Sequence, residues 1–271
     1  MLIQTPPFPP REGGRGVRLY IFVAPHPDDV ALSCGGAVAK AARDGDPLVV
    51  TVFAGQPTGD ESAFARMQHE WWGFDAASVI AERRAEDVCA AAALGTRVRP
   101  IWLEFLDAIY RHPAYDSNDA LFGSLLPEDE ATVANVTEAL ADIGGERVFV
   151  PLGVGNHVDH QIVFRAGQRL AERGIEVWAY ADVPYALARG TVDTIVSELI
   201  AKGAVSEARL TYIDDDAWER RATAIDCYAS QLTVIFRDHG DHRIAVDRYL
   251  REVGGGRRAE VCWQVLPGQE S

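Results

Sequence analysis

The 271 residues are 48% apolar and 24% charged, an ordinary globular balance and length enough for one sizeable α/β domain with a full core. The 26 basic and 40 acidic residues leave a formal net charge of −14, which argues against a nucleic-acid-binding surface. Four cysteines without a Cys-x-x-Cys pair argue against a cysteine zinc site, and their apolar surroundings predict buried free thiols rather than a disulfide framework.

Residues 1–18, with Pro6-Pro7-Phe8-Pro9-Pro10 and Gly13-Gly14-Arg15-Gly16, read as an irregular arm, so the domain proper runs over 19–271. No basic region precedes an early apolar stretch, and no apolar run is long enough to span a bilayer. The expected compartment is therefore the cytoplasm. Leu19 to Ala24 reads as a buried strand of a parallel sheet, stopped by Pro25 and Pro27. A helix is expected over 30–44, closed near Gly45. His26, Asp28 and Asp29 thus fall on a strand-to-helix turn, where open α/β sheets bind ligands. Helix capping explains one of these acids, but not a His-Pro-Asp-Asp run directly after an apolar strand. The pattern suits a metal site that takes a further histidine from elsewhere.

Gly35-Gly36 is a poor helix interior and predicts close backbone packing near the site. A second strand follows over 47–54. The first turn lacks the G-x-G-x-x-G fingerprint and carries acids where a phosphate would sit, which argues against dinucleotide binding. Residues 56–75 read as a long polar and aromatic loop, with His69 on its surface. Trp71 and Trp72 are open to two readings, sugar-stacking platforms or pins that hold the loop to the core. A helix over 76–94 carries Arg83-Arg84-Ala85-Glu86, and a third strand runs over 98–105. Residues 106–127 read as irregular, with Asp107, Tyr110, Arg111, His112 and Tyr115.

A helix over 128–143 leads to a fourth strand over 147–150 and a second Gly/Pro turn, Pro151-Leu152-Gly153-Val154-Gly155-Asn156. His157 and His160 open the next helix, three residues apart and so on one face. A fifth strand over 175–179 ends in Asp182-Val183-Pro184-Tyr185, which puts Tyr185 at a carboxyl end. Strands over 207–213 and 259–265 and helices over 217–228 and 243–253 complete the pattern. His239 and His242 read as solvated surface.

Two motifs now stand in order, each after a strand: Pro25-His26-Pro27-Asp28-Asp29 and His157-Val158-Asp159-His160. The pair resembles the PIG-L/LmbE superfamily of zinc-dependent N-acetylglucosaminyl deacetylases, and the likeness extends over most of the chain from Leu19. The resemblance implies a single Rossmann-like α/β domain, with a mostly parallel sheet, helices on both faces and the active site at the carboxyl ends of the strands. It implies His26, Asp29 and His160 as metal ligands, for zinc or else Fe(II), Co(II) or Mn(II). It implies Asp28 as the base that takes a proton from water. His157 would donate to the oxyanion or protonate the leaving amine, Asp159 would orient that imidazole and favour its charged form, and Arg83 would reach substrate. Tyr228-Ala229-Ser230-Gln231 resembles a late structural element of the family. Two departures stand out: Val30 where the family often has Glu, and Gly155 where it often has Tyr, so a tyrosine donor would have to come from elsewhere.

The function expected from the resemblance is a metal-dependent hydrolase that removes acetyl from an N-acetylglucosamine-type sugar or its conjugate. The partner would be a small amino-sugar molecule, with no nucleic acid and no membrane anchor. A homo-oligomer stays open. Alternatives are an amidase for a different N-acyl conjugate and a non-catalytic metal-dependent sugar-binding protein, which would have no use for Asp28. A further alternative sets His157-x-Asp159 and a distant histidine as an Fe(II) oxygenase triad, although such sites usually sit on β-sandwiches rather than alternating strands and helices.

Overall fold

Strand β1 (Tyr20–Ala24) is the middle of the molecule, and Ile21, Phe22, Val23 and Ala24 are buried on both faces. That burial is what a continuous apolar run without alternation produces in a parallel sheet. The computed structural model describes residues 19–58, 61–75 and 78–268; the Pro-rich arm with its Phe8 lies outside these. After β1 come α1 (Asp29–Asp44), β2 (Leu48–Thr51), α2 (Ala63–Trp72), α3 (Val79–Leu94), β3 (Arg99–Trp102), α4 (Ala108–Arg111), α5 (Asn118–Leu121), α6 (Asp129–Ile143) and β4 (Arg147–Pro151). Then follow α7 (Val158–Glu172), β5 (Glu176–Tyr180), α8 (Thr191–Ala201), β6 (Val205–Tyr212), α9 (Asp215–Asp226), α10 (Ala229–Ile235), α11 (His242–Val253) and β7 (Ala259–Val265).

The seven strands are ordered β3-β2-β1-β4-β5-β7-β6. The five from β3 to β5 are parallel, and β7 and β6 extend the sheet antiparallel. Helices flank both faces, as the sequence predicts, and among the described residues no helix is long and apolar enough to cross a membrane. Pro100 is tolerated because β3 is an edge strand. The chain leaves β1 toward β2 and β3, then returns to lay β4 on the other side of β1. The reversal of strand order between β1 and β4 opens a crevice at their carboxyl ends. Phe22 and Phe149, stacked 4.6 Å apart, fix the register of that pair.

Helix α1 is kinked at Cys34, whose φ of −140° interrupts the helical ladder. The Glu260 carboxylate from β7 accepts from the N–H groups of Gly36 and Ala37, each at 2.8 Å. Buried Arg221 of α9 donates to Glu260 at 2.6 Å and to the Leu32 carbonyl. A Cβ on Gly36 would lie 2.7 Å from Glu260 Oε1, which accounts for the predicted close packing at Gly35-Gly36.

Four expectations change. Cys89 and Cys227 form a disulfide between α3 and the end of α9, where helix packing brings their Cα atoms to 5.8 Å; only Cys34 and Cys262 are free. The 56–75 stretch contains α2, capped by Ser62, and its His69 is buried and bonded to the Tyr110 hydroxyl rather than solvated. Residues 106–127 contain the short helices α4 and α5, capped by the side chains of Asp107 and Ser117. Helix α8 has no counterpart in the sequence reading, although Val192, Ile195, Val196 and Leu199 recur at helical spacing and pack, partly buried, against the core. His242 pairs with Asp226 at 2.7 Å on the surface, as expected.

Candidate active site

The carboxyl end of β1 runs into the turn that carries His26, Asp28 and Asp29. Asp28 occupies the N-cap position of α1 but makes no side-chain cap, and its φ is +106°. A non-glycine residue there is strained, and such strain collects at functional sites. The backbone twist separates the two adjacent carboxylates. Asp29 turns back to accept from the His26 N–H at 2.8 Å. The Asp28 carboxylate has no hydrogen-bonding partner among the described residues and meets Arg83 Nη2 at 3.7 Å. Val30, by contrast, is buried in the core.

At the end of β4, His157 caps α7: its Nδ1 accepts from the Asp159 N–H at 3.2 Å. The neutral ring therefore carries its proton on Nε2. One turn on, His160 Nδ1 meets Asp182 Oδ1 at 2.7 Å. Asp182, the second residue after β5, also accepts from the N–H groups of Gly153 and Val154 at 2.9 Å. The rings of His26, His157 and His160 lie 4.9 to 5.6 Å apart. The six expected residues of the two motifs thus meet at one point, with Arg83 beside them.

Asp159 departs from expectation. Its Oδ2 meets His26 Nε2 at 2.9 Å and accepts from the Ala108 N–H, and its Oδ1 lies 2.7 Å from Arg111 Nη1. It orients His26, and toward His157 it offers only its backbone N–H. Burial together with the His26 charge lowers the His157 pKa to about 3, so this imidazole is a neutral donor rather than a cation. Burial and neighbouring Asp29 raise the Asp28 pKa well above the ordinary range, while Arg83 and His26 pull it down. Asp29 is held at about 2: burial raises it, but His160 and His26 outweigh burial.

Two overlapping groups bring three donor atoms within 4.8 Å of one another: His26, Asp29 and His160, and His26, His157 and Asp159. In the first, Asp29 Oδ2 lies 3.4 Å from His26 Nδ1 and 3.4 Å from His160 Nε2. Tetrahedral bonds of about 2.0–2.1 Å separate ligand atoms by about 3.3–3.4 Å, so the spacing suits a small divalent cation. In the second, Arg111 already neutralises Asp159 and the Nδ1 of His157 is occupied by the cap. The second group, which is the oxygenase arrangement, is the poorer cation site.

A cleft of about 360 Å³ opens over these residues, bordered also by Asp107, Arg83, Tyr185 and Phe122. Tyr185 lies over Gly155: a Cβ there would fall 2.4 Å from its ring, and Gly155 has a φ of +87°. The position that often carries tyrosine in the family is thus empty of side chain, and the aromatic ring comes from beyond β5. Asp182, Arg111 and Asp107 were not singled out for a role by sequence reading. Only Asp182 had a signal: like both motifs, it follows the carboxyl end of a buried strand.

Residues 21–171 match the family model described as PIG-L, GlcNAc-PI de-N-acetylase. The chain belongs to the PIG-L family. Among curated relatives of this PIG-L chain is the 2'-N-acetylparomamine deacetylase of Streptomyces fradiae, 34% identical over 68% of this chain and 64% of its own length. The 2'-N-acetylparomamine deacetylase of Niallia circulans is 31% identical over 62% of this chain and 68% of its own length. The matched stretch therefore spans about two thirds of these relatives. A solved deacetylase of the teicoplanin biosynthesis pathway superposes with a TM-score of 0.78 at 25% identity, over 93% of this chain and 100% of that one.

Proposed function

We propose that this PIG-L chain hydrolyses the N-acetyl group of an amino sugar carried in a small conjugate, releasing acetate and a free amine. The observation that carries the reading is the Asp29 carboxylate, 3.4 Å from two imidazole nitrogens, with the Asp28 carboxylate beside it at the cleft, facing Arg83. His26, Asp29 and His160 would hold a divalent metal, zinc first and Fe(II), Co(II) or Mn(II) as alternatives. A metal held there would supply polarisation of the acyl carbonyl and a lowered pKa for water.

The chain's own groups supply the rest. Asp28 takes the proton of the attacking water and passes it to the leaving nitrogen as the C–N bond breaks. Its raised pKa suits both halves of that task. Arg83, buried against Asp28 and bonded to the Pro27 carbonyl at 3.1 Å, steadies the base and borders the bound sugar. His157 donates from Nε2 to the acyl oxygen as negative charge develops there. Its neutral state favours this role over proton delivery to the amine. Asp159 and Asp182 keep His26 and His160 in the tautomers that a cation needs.

The relatives named for 2'-N-acetylparomamine support an aminoglycoside-like conjugate as substrate. The cytoplasmic site of action belongs to the same proposal and is tested by cell fractionation. The deciding experiment measures metal content and acetate release together, with 2'-N-acetylparomamine, N,N'-diacetylchitobiose and N-acetylglucosamine as substrates. One metal per chain, with acetate release lost on chelation and restored by zinc, is expected. A fully loaded protein that releases acetate from none of the three would overturn the reading.

A further inference from the structure

The cleft does not end at the reactive residues. Away from β1 and β4 it is bordered by Gln68 and Trp71 of α2 and by Gln231, Arg237 and Asp238 from α10 and the turn beyond it. None of these reaches the two motifs through a hydrogen bond or an ion pair. The volume, about 360 Å³, is on the scale of the roughly 300–1,000 Å³ cavities that take drug-sized ligands rather than one sugar ring.

Three features of this outer wall lack an account within the fold. Gln68 is only 8% exposed, yet its amide has no hydrogen-bond partner among the described residues and borders the cleft. Its amide keeps access to the cleft, where a hydroxyl or amine of a ligand can bond it. Trp71 is 41% exposed, although adjacent Trp72 is packed under the Arg83 guanidinium at 4.9 Å. Trp72 therefore pins the segment, while Trp71, steadied by Arg237 at 5.8 Å, keeps indole surface for a ligand. Asp238 has no ion pair among the described residues and borders the cleft next to Arg237, which reaches Trp71.

We propose that Gln68, Trp71 and Asp238 form a second-ring subsite for a cationic, amine-bearing ring attached to the acetylated sugar. The apolar face of the ring lies on the Trp71 indole, a hydroxyl or amine bonds the Gln68 amide, and an ammonium faces Asp238. Arg237 is not the reader of the ring, since a guanidinium repels an ammonium. The inference rests on the amino-sugar reading of the cleft and adds the chemistry of what the sugar is joined to.

The test compares one ring, two neutral rings and two rings with cationic amines: N-acetylglucosamine, N,N'-diacetylchitobiose and 2'-N-acetylparomamine. KM and kcat are measured with wild type, Trp71→Ala, Gln68→Leu and Asp238→Asn. Binding is measured separately by calorimetry in the Asp28→Asn chain, where the acetamide survives. Trp71→Ala is expected to raise KM and Kd about 10-fold for both two-ring compounds and leave the one-ring compound unchanged. Gln68→Leu should follow it at about 5-fold. Asp238→Asn should cost about 3- to 5-fold for the cationic compound alone, an effect that fades at 0.5 M salt. Equal loss on all three compounds, or none on any, overturns the subsite, and Trp71→Phe, which keeps a ring, should restore most of the affinity. A wild-type chain that turns over none of the three but binds 2'-N-acetylparomamine in a Trp71-dependent way would sink the hydrolase reading and leave the subsite standing.

Discussion

Asp28 is where local strain and chemistry coincide. The aspartate sits at a φ of +106° with its carboxylate facing Arg83 at 3.7 Å, and the fold holds that backbone conformation at a cost of about 1–3 kcal/mol. Replacement by glycine should raise the stability of the metal-free chain by about 1 kcal/mol, or about 2–4 °C in Tm, in a thermal melt. The same change, like Asp28→Asn, should lower kcat at least ~100-fold in the acetate assay. A variant that loses stability along with activity would show that Asp28 supports the fold. Asp182 acts one step further out. It clamps His160 at 2.7 Å and the loop after β4 at 2.9 Å, so Asp182→Asn should weaken metal affinity about 10–100-fold in a competition titration. His26, Asp28, Asp29, His157 and His160 were legible because each lies in a short motif after an apolar strand. The bond from Asp159 to His26 was not, because the two are 133 residues apart and only the pairing of β1 with β4 brings them together.

At the scale of elements, the site depends on how α1 is anchored. A helix broken at Cys34 leaves N–H groups that the ladder no longer satisfies, and Glu260 takes two of them from a strand 223 residues later. Arg221, fully buried, ties Glu260 to the turn of α1 that follows the reactive residues. Arg221→Met leaves the Glu260 charge buried without its partner and should cost about 3–5 kcal/mol in a urea titration. Arg221→Lys should recover part of that loss, since it restores charge but not the forked geometry. A second anchor joins α3, which carries Arg83, to the sheet and to the start of α10: Asp87 accepts from Thr51, Trp102 and Tyr228 at 2.8 to 2.9 Å. The late Tyr228-Ala229-Ser230-Gln231 segment is in part structural, as expected, since Ser230 also bonds Glu86. Gln231 also reaches the cleft, which a reading of the segment in isolation does not reveal.

Across the whole molecule, the Cys89–Cys227 bridge closes a loop of 138 residues between α3, which carries Arg83 of the cleft, and the end of α9. Loop-closure entropy gives such a bridge about 4–5 kcal/mol of stability. Reductant should therefore lower the melting temperature, and Cys89→Ala/Cys227→Ala should melt alike with and without it. Thiol titration of the unfolded chain should count two free thiols before reduction and four after. Cys34 and Cys262 account for the first pair. By itself, the sequence determined the α/β class, the succession of most strands along the chain and the two motif turns, because buried parallel strands are continuous apolar runs and their ends are marked by proline, glycine and charge. Contacts between residues far apart in the chain carry no such local mark. The tertiary structure alone decided that Asp159 serves His26, that Cys89 meets Cys227, that Tyr185 covers Gly155 and that Trp71 stays open while Trp72 is packed. Each of these follows from how strands and helices are placed beside one another, which a one-dimensional pattern does not specify.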